Sequence, residues 1–342
     1  AQSVVFKSVS VTNNTATGAY NSTSTLSSGL GGGAWVNNVG TLSIAQSTFD
    51  GNIAGRGNAG LGIQSVRGVY LTDVTANGNT VNANNAASSI YYGGMFIDSN
   101  TTVIATRVQA SNNTLNAAAN TGANCGGAWI GNTSGTLMVV DSSFSGNTVN
   151  NGSNGGLCIQ GNRGAATFDR IAVNNNRTTK TGTEWTGQSG LNTGDNTNLT
   201  IRNSTVAGNT TPQNTAVSFG ASFSDHTNTN AAVSPLPPTT STLLVENTTI
   251  SGNTSGGSFA AYVATPGVYT FRNVTIANNA VGTGTSGCGG GISIDAFNPN
   301  TAGSNAVQVI VQNSTIARNT VAQCQTAFSL GAWNALASAQ GP

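Results

Sequence analysis

Ten carboxylates, eleven Lys and Arg residues, four cysteines and one histidine carry the charge, thiol and imidazole chemistry open to this 342-residue chain. Hydrolysis of a glycosidic bond uses two carboxylates about 5–10 Å apart across a cleft, and calcium-assisted cleavage needs a cluster of oxygen ligands. The charges here are arranged otherwise. Asp73, Arg107, Asp141 and Arg170 form one regular series, and Asp169, Arg202, Glu246 and Arg272 form a second. Outside them, Asp50, Asp98, Glu184, Asp195, Asp225 and Asp295 are scattered along the chain. Asp225-His226 lies in the longest insertion, between Asn209 and Leu243, where it offers a candidate hydrolytic pair. A lone histidine on a polar loop is more often chemically idle, and no G-x-S-x-G nucleophile elbow accompanies it. Two G-x-G-x-x-G matches, at 55–60 and 282–287, lie outside any βαβ unit and are expected by chance among 45 glycines. The reading is non-enzymatic, with no catalytic residue, metal-ligand set or cofactor site assigned.

The elements that position these residues come from an internal repeat, the first thing to seek in such a chain. An eleven-residue motif recurs ten times and ends at Asn14, Asn52, Asn79, Asn113, Asn147, Asn176, Asn209, Asn253, Asn279 and Asn319. LSIAQSTFDGN, LMVVDSSFSGN and VIVQNSTIARN are examples. Positions one and three are apolar and alternate with polar residues, which is strand periodicity. Position eight is apolar throughout, and the closing Gly-Asn or Asn-Asn tolerates left-handed turns. A second element, Gly-Gly-x-x-apolar, falls between most motifs, as in GGAWV at 32–36, GGMFI at 93–97, GGAWI at 126–130 and GGLCI at 155–159. Successive motif ends are 26 to 44 residues apart, enough for one coil of two or three short strands with a variable polar loop. The pattern predicts an all-β fold: a right-handed single-stranded parallel β-helix of about ten coils, one domain over 1–342, with a long loop insertion at about 210–241.

In a parallel solenoid, equivalent residues of neighbouring coils lie side by side, so like charges there are unfavourable. Position five reads Asp73, Arg107, Asp141, Arg170 in four consecutive coils, and position four reads Asp169, Arg202, Glu246, Arg272 in the next run. Signs alternate in both. These columns use eight of the twenty-one charged side chains, so the alternation is read as one coil per repeat. Position five continues as Asn203, Asn247, Asn273 and Asn313, a candidate amide ladder.

Gly126-Gly127-Ala128, Phe49-Asp50-Gly51-Asn52 and Phe144-Ser145-Gly146-Asn147 resemble the repeats of polymorphic outer-membrane proteins and related autotransporter passengers. More widely, nearly the whole chain resembles the pectate-lyase-like β-helix superfamily. The resemblance implies surface display and adhesion, while several relatives are polysaccharide lyases or glycosidases. The departures are that eight of the ten motifs replace the Phe by Val, Ala or Ile, that GGA is followed by Trp, and that no membrane barrel follows, which leaves surface attachment open.

Composition bounds the partners. With 6% charged residues and a net charge of +1 there is no electrostatic footprint for nucleic acid. No apolar run is long enough to span a bilayer. The chain opens Ala1-Gln2-Ser3 without Met, as a processed mature chain or an excised fragment does. An exported, extracellular or cell-surface structural or adhesive protein is expected, self-assembling head to tail or laterally into a fibre or sheath. The alternative is a polysaccharide-binding or polysaccharide-degrading protein.

Four cysteines without a CxxC pair suit disulfides in an exported chain. Aligning CGGGI at 288–292 with CQTAF at 324–328 puts Cys288 and Cys324 at one position of adjacent coils, within disulfide reach. Cys158 aligns with Trp129, so Cys125 and Cys158 share no column and either pair through a loop or stay free. In the Gly-Gly strands the third and fifth residues are expected to face the core. The fourth then points outward and forms an aromatic column, Trp35, Phe96, Trp129 and Tyr262, which is a candidate glycan-binding or assembly face unless loops cover it.

Overall fold

The computed structural model describes residues 2–331, apart from 17–30, 56, 83–90, 118–123, 153, 180–181, 195, 212–214, 225–240, 256–258, 265–266, 283–288, 296–306 and 322–327. The described chain is a parallel β-helix. Two ten-stranded sheets run its whole length, and every recorded strand pair is parallel. The first sheet carries motif positions one to four, from Ser3–Lys7 through Thr102–Gln109 and Leu137–Val140 to Val307–Gln312. The second carries the glycine-entered strands, from Ala34–Asn37 through Met95–Asp98, Ala128–Gly131 and Leu157–Gln160 to Phe328–Gly331. Shorter parallel sheets, among them Thr80–Asn82, Thr114–Asn116 and Thr148–Asn150, complete the coils. The segment expected as a loop insertion at 210–241 contains a strand of its own, Thr215–Ser224, paired with Gly182–Gly194 and Phe259–Ala264. That coil therefore carries its own strand in the second sheet, while 212–214 and 225–240, with Asp225 and His226, lie outside the described residues.

Each motif position has a physical task. Positions one, three and eight point into the lumen, where Leu42, Ile44 and Phe49, or Leu137, Val139 and Phe144, are almost wholly buried. One continuous apolar core runs from Val36 to Ile292. Position five lies in the left-handed region in all ten coils, at Ser8, Gln46, Asp73, Arg107, Asp141, Arg170, Asn203, Asn247, Asn273 and Asn313, with φ between 47° and 55°. This bends each coil after position four. None of the ten is glycine, although an L-residue is disfavoured in this region. Position six supplies a local anchor: Ser47, Ser142 and Ser204 each donate to the position-four carbonyl of their own coil and accept the position-six N–H of the preceding coil. Position ten is left-handed in every coil as well, which explains the Gly or Asn found there in nine of them.

Candidate functional site

The sequence presents the motif-ending asparagine as a turn residue, and the structure gives it a larger role. Asn52, Asn79, Asn113, Asn147, Asn176, Asn209, Asn253 and Asn279 are buried. The Oδ1 of each accepts both the backbone N–H and the Nδ2 of the asparagine one coil earlier; for Asn147 both distances, from Asn113, are 3.0 Å. The Nδ2 of Asn147 donates to Asn176 Oδ1 at 2.9 Å and to the Ala110 carbonyl at 3.0 Å. The ladder runs unbroken from Asn14 to Asn319, always with the earlier coil donating. It also bears on the second glycine of each pair, whereas the first is set by the carbonyl of the next coil. A Cβ on Gly94, Gly127 or Gly156 would lie 2.5, 2.6 or 2.7 Å from the Nδ2 of Asn113, Asn147 or Asn176, and no more than 2.6 Å from the carbonyl oxygen of the matching glycine one coil on, so the second glycine makes room both for the amide across the lumen and for the next coil. The two sequence signatures are halves of one contact.

A second buried column lies where the glycine-entered strand turns back to the first sheet. Val66 N–H donates to Asn100 Oδ1, Thr133 N–H donates to Asn162 Oδ1, and Asn162 Nδ2 donates to Asn196 Oδ1. Thr133 interrupts it, and both Asn100 Nδ2 and Thr133 Oγ1 are buried without a hydrogen-bond partner.

The charged columns are formed as follows. Arg107 Nε and Nη2 donate to Asp73 at 2.6 and 2.9 Å, and Arg170 makes the same two-pronged contact with Asp141. Arg170 Nη1 also reaches Asp169 Oδ2 at 2.8 Å, and Arg202 Nη2 reaches the same oxygen at 3.2 Å. The two sequence series therefore join at Arg170 into one network, Asp141–Arg170–Asp169–Arg202. Arg272 pairs with Glu246 at 2.7 Å. Hydrogen bonds from their arginines hold the Asp73 and Asp141 carboxyls below the ordinary range. Burial pushes the Asp169 carboxyl up, but the Asn203 amide, Arg202 and Arg170 outweigh it and the net direction is down. The exposed amides continue the column, with Asn247 Nδ2 donating to Asn203 at 3.2 Å and Asn273 Nδ2 to Asn247 at 3.1 Å.

The expected outward aromatic face is corrected. Trp35, Phe96, Trp129 and Tyr262 do share one register column, linked through Gly62, Cys158, Asn192 and Ser222. The backbone of Tyr262 is placed there, while its side chain is not described. Phe96 and Trp129 are only 7% and 9% exposed, and Trp35 packs against the same cluster. The fourth position does leave the lumen, but it enters a second small core. Tyr92 stacks on Phe96 with centroids 4.5 Å apart and tilts against Trp129 at 5.5 Å, and Trp35 stacks on Phe96 at 5.9 Å across the space left by Gly62. Burial raises the Tyr92 hydroxyl pKa well above its ordinary value, and Asp98 adds to the shift. Asp98 accepts from Asn132 at 2.7 Å and from Ser99 at 2.7 Å, with Trp129 Nε1 at 3.4 Å. A disulfide joins Cys125 to Cys158 in this core, with Cα atoms 6.3 Å apart. The bond is diagonal: Cys125 stands beside Asn154, while Cys158 stands beside Trp129. Cys288 and Cys324 lie outside the described residues.

One polar groove of about 520 Å³ crosses the turns of three consecutive coils, lined by Asn38, Ser65, Arg67, Ser99 and Thr101 among others. Among the described residues no three His, Cys, Asp or Glu side chains come together as a metal site, and no helix is long and apolar enough to cross a membrane. The fold and these columns define the class, an all-β parallel β-helix solenoid. No protein-family model, no curated protein and no solved structure matches the chain.

Proposed function

We propose that this chain is an exported structural or adhesive surface component, a rigid rod of the kind seen in autotransporter passengers and related β-helices. The observation that carries the reading is the use made of the carboxylates. All six whose side chains are described, Asp50, Asp73, Asp98, Asp141, Asp169 and Glu246, are held by donors that tie coil to coil or fix a turn. Free acid–base pairs are what a polysaccharide-cleaving site would need. The buried Cys125–Cys158 bond adds support for an oxidising compartment.

The test combines imaging with turnover. Electron microscopy of the purified protein should show rods, and incubation with uronate, neutral and sulfated polysaccharides should release neither reducing ends nor unsaturated products. Turnover abolished by a single carboxylate substitution such as Asp50→Asn would overturn the reading. The polar groove favours a second reading, a non-catalytic glycan-binding module. Arg67 is its cation, and the asparagine, serine and threonine side chains around it suit sugar hydroxyls. Glycan-array binding lost in Arg67→Gln would support that reading.

A further inference from the structure

The outward face of the first ten-stranded sheet carries a mixed column in which six of ten side chains are apolar; three of these are exposed, and Ile104, Leu244 and Ile310 are half-buried. Motif position two points away from the lumen. In successive coils it reads Val5, Ser43, Tyr70, Ile104, Met138, Thr167, Thr200, Leu244, Thr270 and Ile310, in continuous register. Val5 is 67% exposed, Tyr70 42% and Met138 36%. Beside this column, position four reads Lys7 in the first coil and Glu246 in the eighth, and position five carries the alternating run Asp73, Arg107, Asp141, Arg170 in coils three to six.

We propose that this face joins two copies of the chain side by side, with antiparallel coil axes related by a two-fold axis parallel to the strands and passing midway between the coils of Ile104 and Met138. Such an axis keeps motif positions and reverses coil order, so coil one faces coil eight and coil four faces coil five. The contact is isologous: each pairing occurs twice. The apolar pairs are Ile104 with Met138 of the second copy and Val5 with Leu244 of the second copy. The charged pairs are Asp73 with Arg170, Arg107 with Asp141, and Lys7 with Glu246, all of opposite sign. Tyr70 meets Thr167, Ser43 meets Thr200, and Ala45 meets Arg202.

The alternating row is what selects this arrangement. Asp-Arg-Asp-Arg read backwards is Arg-Asp-Arg-Asp, so an axis midway between coils sets unlike charges against each other. An axis through the coil of Asp141 would instead place Asp141 against itself and Arg107 against Arg170, and like-charge contacts across an interface are strongly disfavoured. Size also suits a second copy. Eight overlapping coils at about 4.8 Å and five residues at about 3.3 Å give a face of roughly 38 by 16 Å. That is on the order of 600 Å² per chain, the lower end of stable interfaces.

The test does not depend on the surface-protein reading. Positions 5 and 244 are seven coils apart, about 34 Å along the column, so a disulfide between cysteines placed there can form only between molecules. The Val5→Cys/Leu244→Cys variant should give a covalent dimer under mild oxidation, with mass mapping showing position 5 of one copy bonded to position 244 of the other, and neither single variant should do so. Sedimentation of the unmodified protein should show twice the 34.1 kDa chain mass. Tyr70→Glu/Met138→Glu should sediment as a monomer with unchanged circular dichroism, which separates lost contact from lost fold. A monomer at every concentration, or a bond between position 5 of both copies marking parallel axes, would overturn the proposal.

Discussion

Replacing Asn147 by Ala tests the claim that the buried amide column holds the coils together. The substitution removes Oδ1, the acceptor for both the backbone N–H and the Nδ2 of Asn113, and it removes the Nδ2 that serves the Ala110 carbonyl. The backbone N–H of residue 147 still reaches Asn176. Two buried donors are therefore orphaned outright. At roughly 1–3 kcal/mol for each buried group left unsatisfied, the expected loss is about 2–6 kcal/mol. The control is Asn247→Gly, in the exposed amide row, where the residue type and the coil-to-coil bond are the same, water can replace the partner, and glycine keeps the left-handed backbone without strain. There the loss should stay within about 0.5 kcal/mol, as for other surface changes. Chemical denaturation followed by far-ultraviolet circular dichroism measures both, and hydrogen exchange at the Asn113 amide reports the local opening directly. Equal losses in the two variants, or less than about 1 kcal/mol for Asn147→Ala, would refute the idea that burial gives the column its strength.

Thr133→Asn should complete the second column, giving the orphaned Asn100 Nδ2 an acceptor and adding a donor to Asn162; the expected gain is about 1–2 kcal/mol, seen as a higher denaturation midpoint. Gly62→Ala puts a methyl group inside the Trp35 ring, so it should break the Trp35–Phe96 stack, shift tryptophan fluorescence and cost about 1–3 kcal/mol. The carboxyls of Asp73, Asp141 and Asp169 are depressed in the folded chain, so their contribution is complete above the ordinary Asp value near pH ~4 and is lost as pH falls through the lower folded values. Arg170→Gln releases Asp141 and takes one of three partners from Asp169, which keeps Arg202 and Asn203, and it should raise the midpoint of acid unfolding followed by circular dichroism.

The architecture is legible because ten motifs repeat their apolar positions in step, and because charges at positions four and five alternate as stacked coils favour. Other features are less so. The asparagine at position eleven is visible as a constant, yet periodicity cannot say whether a turn amide points to water or into the lumen. Its distance from the glycine pair along the chain hides that the two meet across the core. The left-handed backbone at Asp73, Arg107 and their equivalents is illegible for a related reason: stacking in register holds residues there that local preference disfavours. The aromatic column misleads because strand alternation separates only two sides. It cannot show that Tyr92 and the Cys125–Cys158 bond close over the outer one. Thr215–Ser224 reads as loop because it lacks the Gly-Gly entry.

The amide column from Asn14 to Asn319 has a direction, since every rung donates to the Oδ1 of its C-terminal neighbour and accepts from no asparagine on that side, while the spare Nδ2 proton of rungs such as Asn147 goes back to a backbone carbonyl of the coil before. A rung can be added or deleted without disturbing the others if a whole coil goes with it, whereas a coil grafted in with reversed polarity would meet acceptor with acceptor. The chain can thus be lengthened or shortened only in whole-coil steps of one orientation, like links that thread one way, while the segments between rungs are free to differ in length.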